Sequence, residues 1–580
     1  MSAEAGTEEI LIDAAAGPKL DVVLCWHMHQ PQYFEQASGV YSLPWTYLHA
    51  MKDYSDMAAH LEAVPDARAV VNFAPILLEQ IADYAERIAA FLDRGEPIPD
   101  PVLALLTTEV VPTDAASRAE IIRVCQRAHA PRMIDTIPLF SELVRIAREA
   151  YTQPLLLEHL DDRFFLDLVT CYHLAWLGET VRRDYPDSLL WLAEEKGFDA
   201  QTRRALLRII GEVMAEIIPR YRALAQQGRV ELSFTPYAHP IMPLLLDIES
   251  AREAMPEVPL PAYLSYPEGE ERVRWHIQRG LEIFEKHFGF RPRGCWPSEG
   301  GVSTATLQVL DEFGLDWAAS GQTVLANSLM ALPDAEKDPG DGWLHRPYRL
   351  TGSRMLSFFR DDGLSDAIGF RYADWHADDA VGDFVHHLEN IVDAPPEGGV
   401  VAVILDGENA WEYYPDNGFH FLEGLYQRLS EHPRLNLCTF ADVFTRWAEK
   451  APELPGLVAG SWVYGTFSTW IGDPDKNAGW ERLIEAKRAV DTALRQHPEL
   501  NTAALEEQLA ICEGSDWCWW FGAYNPAGSV GDFEALYRRH LAALYQRAGL
   551  AVPEALSVVL STGGGDPSAG GTMRRGQAHS

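Results

Sequence analysis

Eight short runs of this chain are apolar at nearly every position rather than at every second one. They are LDVVLCW (20–26), AVVNF (69–73), VELSF (230–234), GCW (294–296), LDWAAS (315–320), MLSFF (355–359), VVAVIL (400–405) and LNLCTF (435–440). Strands buried on both faces have this composition, and parallel strands covered by helices are buried that way. Stretches of helical periodicity lie between many of them, such as STATLQVLDEFG (303–314) and GFHFLEGLYQRL (418–429). Strand then helix, repeated, predicts an α/β fold with a parallel sheet. About seven or eight strands is near the number that closes such a sheet into a barrel.

The pattern breaks twice. Residues 98–226 carry long amphipathic stretches and no clear strand, which predicts a helical insertion between two barrel strands. After about residue 450 the chain turns helical again, with NAGWERLIEAKRAVDTALRQ and DFEALYRRHLAALYQRAG the clearest segments. The expected division is therefore a barrel of residues 19–97 and 227–449, the insertion, and a helical C-terminal domain of 450–560 completing the cleft. Residues 1–18 and the Gly/Ser-rich 561–580 are expected to be disordered.

In a parallel α/β barrel, chemistry gathers at the C-terminal ends of the strands. Here the strand runs lead into HMHQP (His27, His29), TPYAHP (His239), PSEGG (Glu299), RDDGLSD (Arg360, Asp361) and DGENAWEYY (Asp406, Glu408, Trp411). An Asp at a strand tip is often a helix cap, but two acids beside Trp411, Tyr413 and Tyr414 favour a sugar site. Aromatic faces pack on pyranose rings while carboxylates bind hydroxyls. His27 and His29 point to the same side of a strand and suit either a substrate or, as the weaker reading, a metal with His239 or Asp406 as third ligand. Glu299 lies among Pro, Ser and two glycines, as a helix N-terminal charge or as a catalytic acid. Gly300 and Gly301 would let a sugar approach it closely. Trp470, in a Thr-Trp-Ile-Gly turn, is expected to face a cleft, and Trp480 and Trp520 to pack helices on the barrel.

Charge narrows the partners. The chain of 580 residues has 48 basic and 85 acidic residues, a formal charge of -37. Such a surface repels phosphate backbones and anionic lipids, so nucleic acid and membranes are excluded as expected partners. Seven scattered cysteines without a CxxC pair favour reduced thiols. No basic-then-apolar leader and no membrane-length apolar run is visible, so the expected location is cytoplasmic.

Five motifs, in order, carry a resemblance: HQP (29–31), GRVELSFTPYAHP (228–240), GCWPSEGG (294–301), LDGENAWEYYP (405–415) and TWIGDPDKNAGW (469–480). With these the chain resembles glycoside hydrolase family 57, and FFRDDGLSDAIGF and EGSDWCWWFG are similar to its amylopullulanase-type branch. The resemblance implies a (β/α)7-type barrel and a retaining hydrolase of α-1,4 links in starch- or glycogen-like α-glucans, with α-1,6 links as a further target. It implies Glu299 as nucleophile and Asp406 as general acid/base. It also implies substrate contacts by His29, Glu231, Trp296 and Glu408, with Trp470 from the last motif. His27, His239, Arg360, Asp361, Trp411, Asp516 and Trp517 complete the candidate substrate-binding set, with no metal and no cofactor. A 4-α-glucanotransferase or branching enzyme shares the covalent intermediate and is the near alternative. A metal-dependent deacetylase or α-mannosidase would instead use His27, His29, His239 and Asp406 as ligands, and a non-catalytic glycogen-binding protein would need neither acid.

Overall fold

The computed structural model describes residues 19–565 except 109, 194–196, 334–341, 394, 395 and 397, together with residue 573. The segment 1–18 and most of 561–580, expected to be disordered, lie outside the described residues.

Seven parallel strands close into a barrel: β1 (Leu20–Met28), β2 (Ala69–Phe73), β3 (Val230–Phe234), β4 (Gly294–Cys295), β5 (Trp317–Gly321), β6 (Leu356–Arg360) and β7 (Val400–Asp406). Each pairs with the next, and β7 returns to β1 in a long register from Asp21↔Val400 to His27↔Asp406. The β6–β7 join is the narrowest, a single pairing of Arg360 with Ala402. The both-faces-apolar pattern has a direct cause. Val23, Cys25, Val70, Ala319, Phe358, Ala402 and Ile404 fill the barrel interior, while Val22, Leu24, Trp26, Val71, Leu232, Val401 and Val403 pack outward on the helices. In β1 and β7 the inward series turns polar at the strand tips, where Val23 and Cys25 give way to His27, and Ala402 and Ile404 to Asp406.

Two predicted strands fall short. The run 294–296 forms only the pair Gly294–Cys295, because Pro297 lacks an N–H to continue the ladder. A side chain at 294 would occupy the space of the Trp317 indole, so glycine is required there. The run 435–440 gives a strand only at Leu435–Leu437, paired to the start of β1 beside the barrel rather than in it. Thr439 then caps the helix Phe440–Trp447 in a capping box with Asp442.

Between β2 and β3 the chain is helical, from Pro75–Arg94 to the long Ala200–Gln226, with shorter helices between. After residue 460 come Pro474–Gln496, Thr502–Cys512, Asp516–Trp520 and Ala527–Arg547. No helix among the described residues is long and apolar enough to cross a membrane.

This C-terminal part is stitched to the barrel rim. Pro240, after β3, bridges Gly514, and Val302, after β4, bridges Gly460. Next to the first bridge, Glu513 is buried against Arg272, His276 and the Tyr266 hydroxyl, at 2.8, 2.8 and 2.6 Å. Burial opposes its ionisation, but Arg272 and His276 hold its carboxyl well below the ordinary range. A depressed carboxylate contributes stability above its unfolded-state value of about 4.3 and loses it as the pH falls through the folded-state value. Glu513→Gln leaves Arg272 charged and buried, so we expect it to destabilise the fold by about 3–5 kcal/mol at neutral pH. Urea unfolding checks this, and the difference from the parent protein should shrink as the pH is lowered below about 4.

Candidate active site

Glu299 occupies a 3-10 turn, Ser298–Gly300, directly after β4. Its backbone is left-handed, with φ 59° and ψ 24°, a conformation costing a non-glycine residue about 1–3 kcal/mol. Two contacts from one residue hold it there. The backbone N–H of Trp462 donates to its carbonyl at 3.0 Å, and the Trp462 indole N–H donates to its Oε2 at 3.0 Å. On the other oxygen, Ser515 Oγ lies 3.5 Å and His239 Nδ1 3.8 Å away. His239 is left-handed too, at φ 61°, and its carbonyl accepts from the Ser515 N–H at 2.9 Å. The C-terminal segment therefore pins both strained residues.

Gly300 serves this turn rather than a sugar's approach. Its φ is 59°, and a Cβ there would meet the Trp296 ring at 2.9 Å and Trp462 at 3.2 Å. A Cβ at Gly301 would meet the Ser298 carbonyl at 2.9 Å. The expectation that these glycines open space for substrate gives way to close backbone and indole packing.

Asp406 closes β7 and faces His27 in register. Burial pushes its carboxyl up to about 6, against the pull of an Asn409 amide bond of 2.8 Å and the Arg360 charge. Glu408 is more deeply buried. Burial pushes it well above the ordinary range, and the charges of Asp406 and Asp53 add to the rise. The Gln30 amide donates to it at 3.3 Å.

Three histidines stack beside these acids. His29 lies on His239 with ring centroids 3.8 Å apart at 14°, and His27 lies next to His239 at 5.1 Å and 19°. Burial and the neighbouring His29 push His27 down to about 3, and burial with the other two imidazoles holds His239 well below the usual range. His29 Nε2 bonds Asp516 at 2.9 Å. Donor atoms of His29, His239 and Asp516 fall within 4.8 Å of one another, but they fit a metal poorly. Imidazole lone pairs lie in the ring plane, and two nearly parallel planes do not meet at one coordination point. His27, expected as a further ligand of a metal enzyme, has Nδ1 against the Asn72 amide and Nε2 against His239, at 2.7 and 3.1 Å.

These groups share one cavity of about 530 Å³. Of the candidate residues, His27, His29, His239, Glu299, Asp406, Glu408 and Asp516 line it. The others do not. Glu231 sits near the start of β3, with its oxygens on the Trp317 indole N–H and the Ala441 N–H at 2.6 and 2.8 Å. It braces the barrel and the N-terminus of Phe440–Trp447, not a substrate. Trp296 is fully buried, edge-on to Trp462 at 5.5 Å. Arg360 is also buried, bonded to Asp362, Asp366 and the Ile404 carbonyl at 2.7, 2.7 and 2.8 Å. Asp361 caps the helix Asp362–Asp366 and bonds His345. Trp411 donates to the Gly407 carbonyl in the outer core, and Trp517 donates to the Ile511 carbonyl and stacks on Tyr537. Trp470, expected at a cleft, is fully buried behind Trp519. Trp520, expected as packing, lines the cavity with Trp519.

Other residues of the cavity, and Ser515 beside it, were not singled out by sequence reasoning. Trp462 and Ser515 reach Glu299 from the C-terminal segment. Trp45, Arg127, His129 and Trp176 come from the β1–β2 connection and the helices before β3, and Phe533 from Ala527–Arg547. A signal existed for Ser515, which directly precedes Asp516 in the EGSDWCWWFG motif; Trp462 lies in a stretch without periodicity.

Relatives carry the same architecture. A 1,4-alpha-glucan branching enzyme of Thermococcus kodakarensis is 24% identical over 332 residues, 52% of this chain but only 43% of that protein. A crystal structure of such an enzyme from Thermococcus kodakaraensis superposes with a TM-score of 0.53 at 16% identity, covering 91% of this chain and 90% of that one. The branching enzyme of Pyrococcus horikoshii gives 0.53 at 14% identity, with 94% and 98% covered. The α-amylase AmyC of Thermotoga maritima gives 0.51 at 13%, with 93% and 96% covered. At these identities the structures establish a common fold. The family model of glycosyl hydrolase family 57 matches residues 23–455, most of the chain and the tip of every barrel strand. The chain belongs to glycosyl hydrolase family 57.

Proposed function

We propose that the protein is a retaining α-glucan-active enzyme, with Glu299 as nucleophile and Asp406 as general acid/base. The observation that carries this is one cavity holding both carboxyls in unlike environments. Glu299 receives donors that favour its anion, while burial keeps the Asp406 proton on to about pH 6. That is the division of labour glycosidic cleavage needs. Asp406 gives its proton to the leaving glycosidic oxygen as the C1–O bond breaks, and a Glu299 oxygen bonds C1. An acceptor hydroxyl then attacks C1, returning its proton to Asp406 while Glu299 leaves as carboxylate.

What distinguishes hydrolysis from transfer is the acceptor. Trp45, Trp176, Trp519, Trp520 and Phe533 line the cavity and offer apolar faces on which donor and acceptor glucan rings can pack. With the branching enzyme among its relatives, this favours transfer of an α-1,4-glucan segment over its release. Net hydrolysis, as in the α-amylase sharing the fold, is the second reading. Proton NMR of amylose treated with the enzyme should show new α-1,6 linkages with little gain in reducing ends. A rise in reducing ends without new linkages would move the assignment to an amylase.

Two predictions address the acids. Above about pH 6 kcat/KM should fall about tenfold per pH unit, because the acid must hold its proton. In Asp406→Asn, assayed with a glycosyl fluoride whose leaving group needs no proton, that alkaline limb should vanish. Glu299→Ala should be inactive by at least about 10³-fold on glucan, and azide should restore turnover of the fluoride with β-glycosyl azide as product. Rescue yielding the α-azide would contradict Glu299 as the nucleophile.

A further inference from the structure

A continuous line of polar contacts runs behind the cavity, from the barrel interior to Glu299. Thr235 Oγ1 lies 2.8 Å from the Trp296 carbonyl oxygen and 2.9 Å from one arm of the Asn72 side-chain amide. The same arm reaches His27 Nδ1 at 2.7 Å, and the other arm reaches Ser233 Oγ at 3.0 Å. His27 Nε2 meets His239 Nε2 at 3.1 Å, and His239 Nδ1 meets Ser515 Oγ at 2.7 Å. Ser515 Oγ in turn lies 3.5 Å from Glu299 Oε1.

Counting protons gives this line a direction. Its two ends, the Trp296 carbonyl and the Glu299 carboxylate, can only accept. Thr235 has one hydroxyl proton. With that proton on the Trp296 carbonyl, the Asn72 arm facing Thr235 must donate. The amide, which the structure sets with Oδ1 on this arm and Nδ2 on Ser233, is therefore turned over to bring its NH2 group here, and the two hydrogens match its two partners. The amide oxygen then accepts from the Ser233 hydroxyl. His27 Nδ1 accepts, His27 Nε2–H donates to His239 Nε2, and His239 Nδ1–H donates to Ser515 Oγ. The Ser515 proton is left pointing at Glu299. Running the line the other way leaves two oxygen pairs, Thr235–Asn72 and Ser515–Glu299, with no proton between them. It also turns the His239 Nδ1 lone pair toward the carboxylate 3.8 Å away. The forward direction satisfies every contact.

We propose that Asn72, His27, His239 and Ser515 form a one-way positioning relay that aims a hydroxyl proton at Glu299 Oε1. This gives His27 and His239 a role distinct from binding sugar through their nitrogens. With Trp462 on Oε2, the relay places a donor by each oxygen of Glu299. A 3.5 Å contact is long for a hydroxyl donor, and it shortens when charge concentrates on Oε1 as the glycosyl ester breaks. The kinetic consequence rests on Glu299 being the nucleophile, whereas the proton positions do not.

Neutron diffraction from deuterium-exchanged crystals tests the direction. Deuterium on Nε2 of His27 and Nδ1 of His239, with the Asn72 nitrogen facing His27, is the expected result. Deuterium on Nδ1 of His27 or Nε2 of His239 would overturn the relay, whatever azide does at residue 299. For the kinetic role, Ser515→Ala should lower kcat about 10- to 100-fold, as for a lost hydrogen bond to a charged group, with KM unchanged. Ser515→Thr, which keeps the hydroxyl, should recover most of it. An unchanged kcat in Ser515→Ala, or a loss confined to KM, would remove the positioning role.

Discussion

The site depends on two backbone hydrogen bonds that reach across from the C-terminal segment. Trp462 N–H holds the carbonyl of Glu299, and Ser515 N–H holds that of His239, at 3.0 and 2.9 Å. Both held residues are left-handed and carry side chains, so neither conformation is stable by itself. The strand tips alone would let Glu299 relax and its carboxylate swing away. The barrel thus presents the acids, and the segment after residue 460 fixes where one of them points. The buried Glu513–Arg272–His276 cluster stands directly behind the Ser515 clamp, joining the C-terminal segment to the helix between β3 and β4.

The same construction separates the two carboxyls electrically. Asp406 ends a seven-residue strand held along its length by the β1 ladder, where burial dominates and pushes the carboxyl up to about 6. Glu299 is set on a turn and surrounded by N–H and O–H donors. Unlike surroundings follow from the elements that carry the residues. His27 and His239, which burial holds well below the usual imidazole range, supply contacts beside the acids without adding positive charge, whereas His29 pulls the Asp406 carboxyl down.

The barrel was legible because parallel strands buried on both faces leave a signature of unbroken apolar runs, and the acids were legible because they interrupt those runs at the tips. His27 and Asp406 appear where an inward-facing series ends, and His239 in the turn after β3. Glu231 misled for a related reason: it is an inward-facing acid within a motif, but at the start of its strand, where the register places it under Trp317 and not in the cavity. The tryptophans were the least legible. Trp517 sits in the same motif as Trp519 and Trp520, yet only the latter pair faces the cavity, and Trp470, in the motif before it, is buried. A helix of five residues, Asp516–Trp520, offers too little periodicity to say which face is inward. Trp462 lies in irregular chain, and nothing local to it reveals a partner 163 positions away.

We propose that Glu299, pinned in its strained turn, forms the bond to sugar. Trapping with a 5-fluoro-α-glucosyl fluoride, which slows release of the glycosyl-enzyme, followed by peptide mass spectrometry, tests it most directly. The account predicts a single added fluoroglucosyl mass on the peptide containing Glu299, localised to that carboxyl by fragmentation. The same mass on Asp406, Glu408 or Asp516 would contradict it.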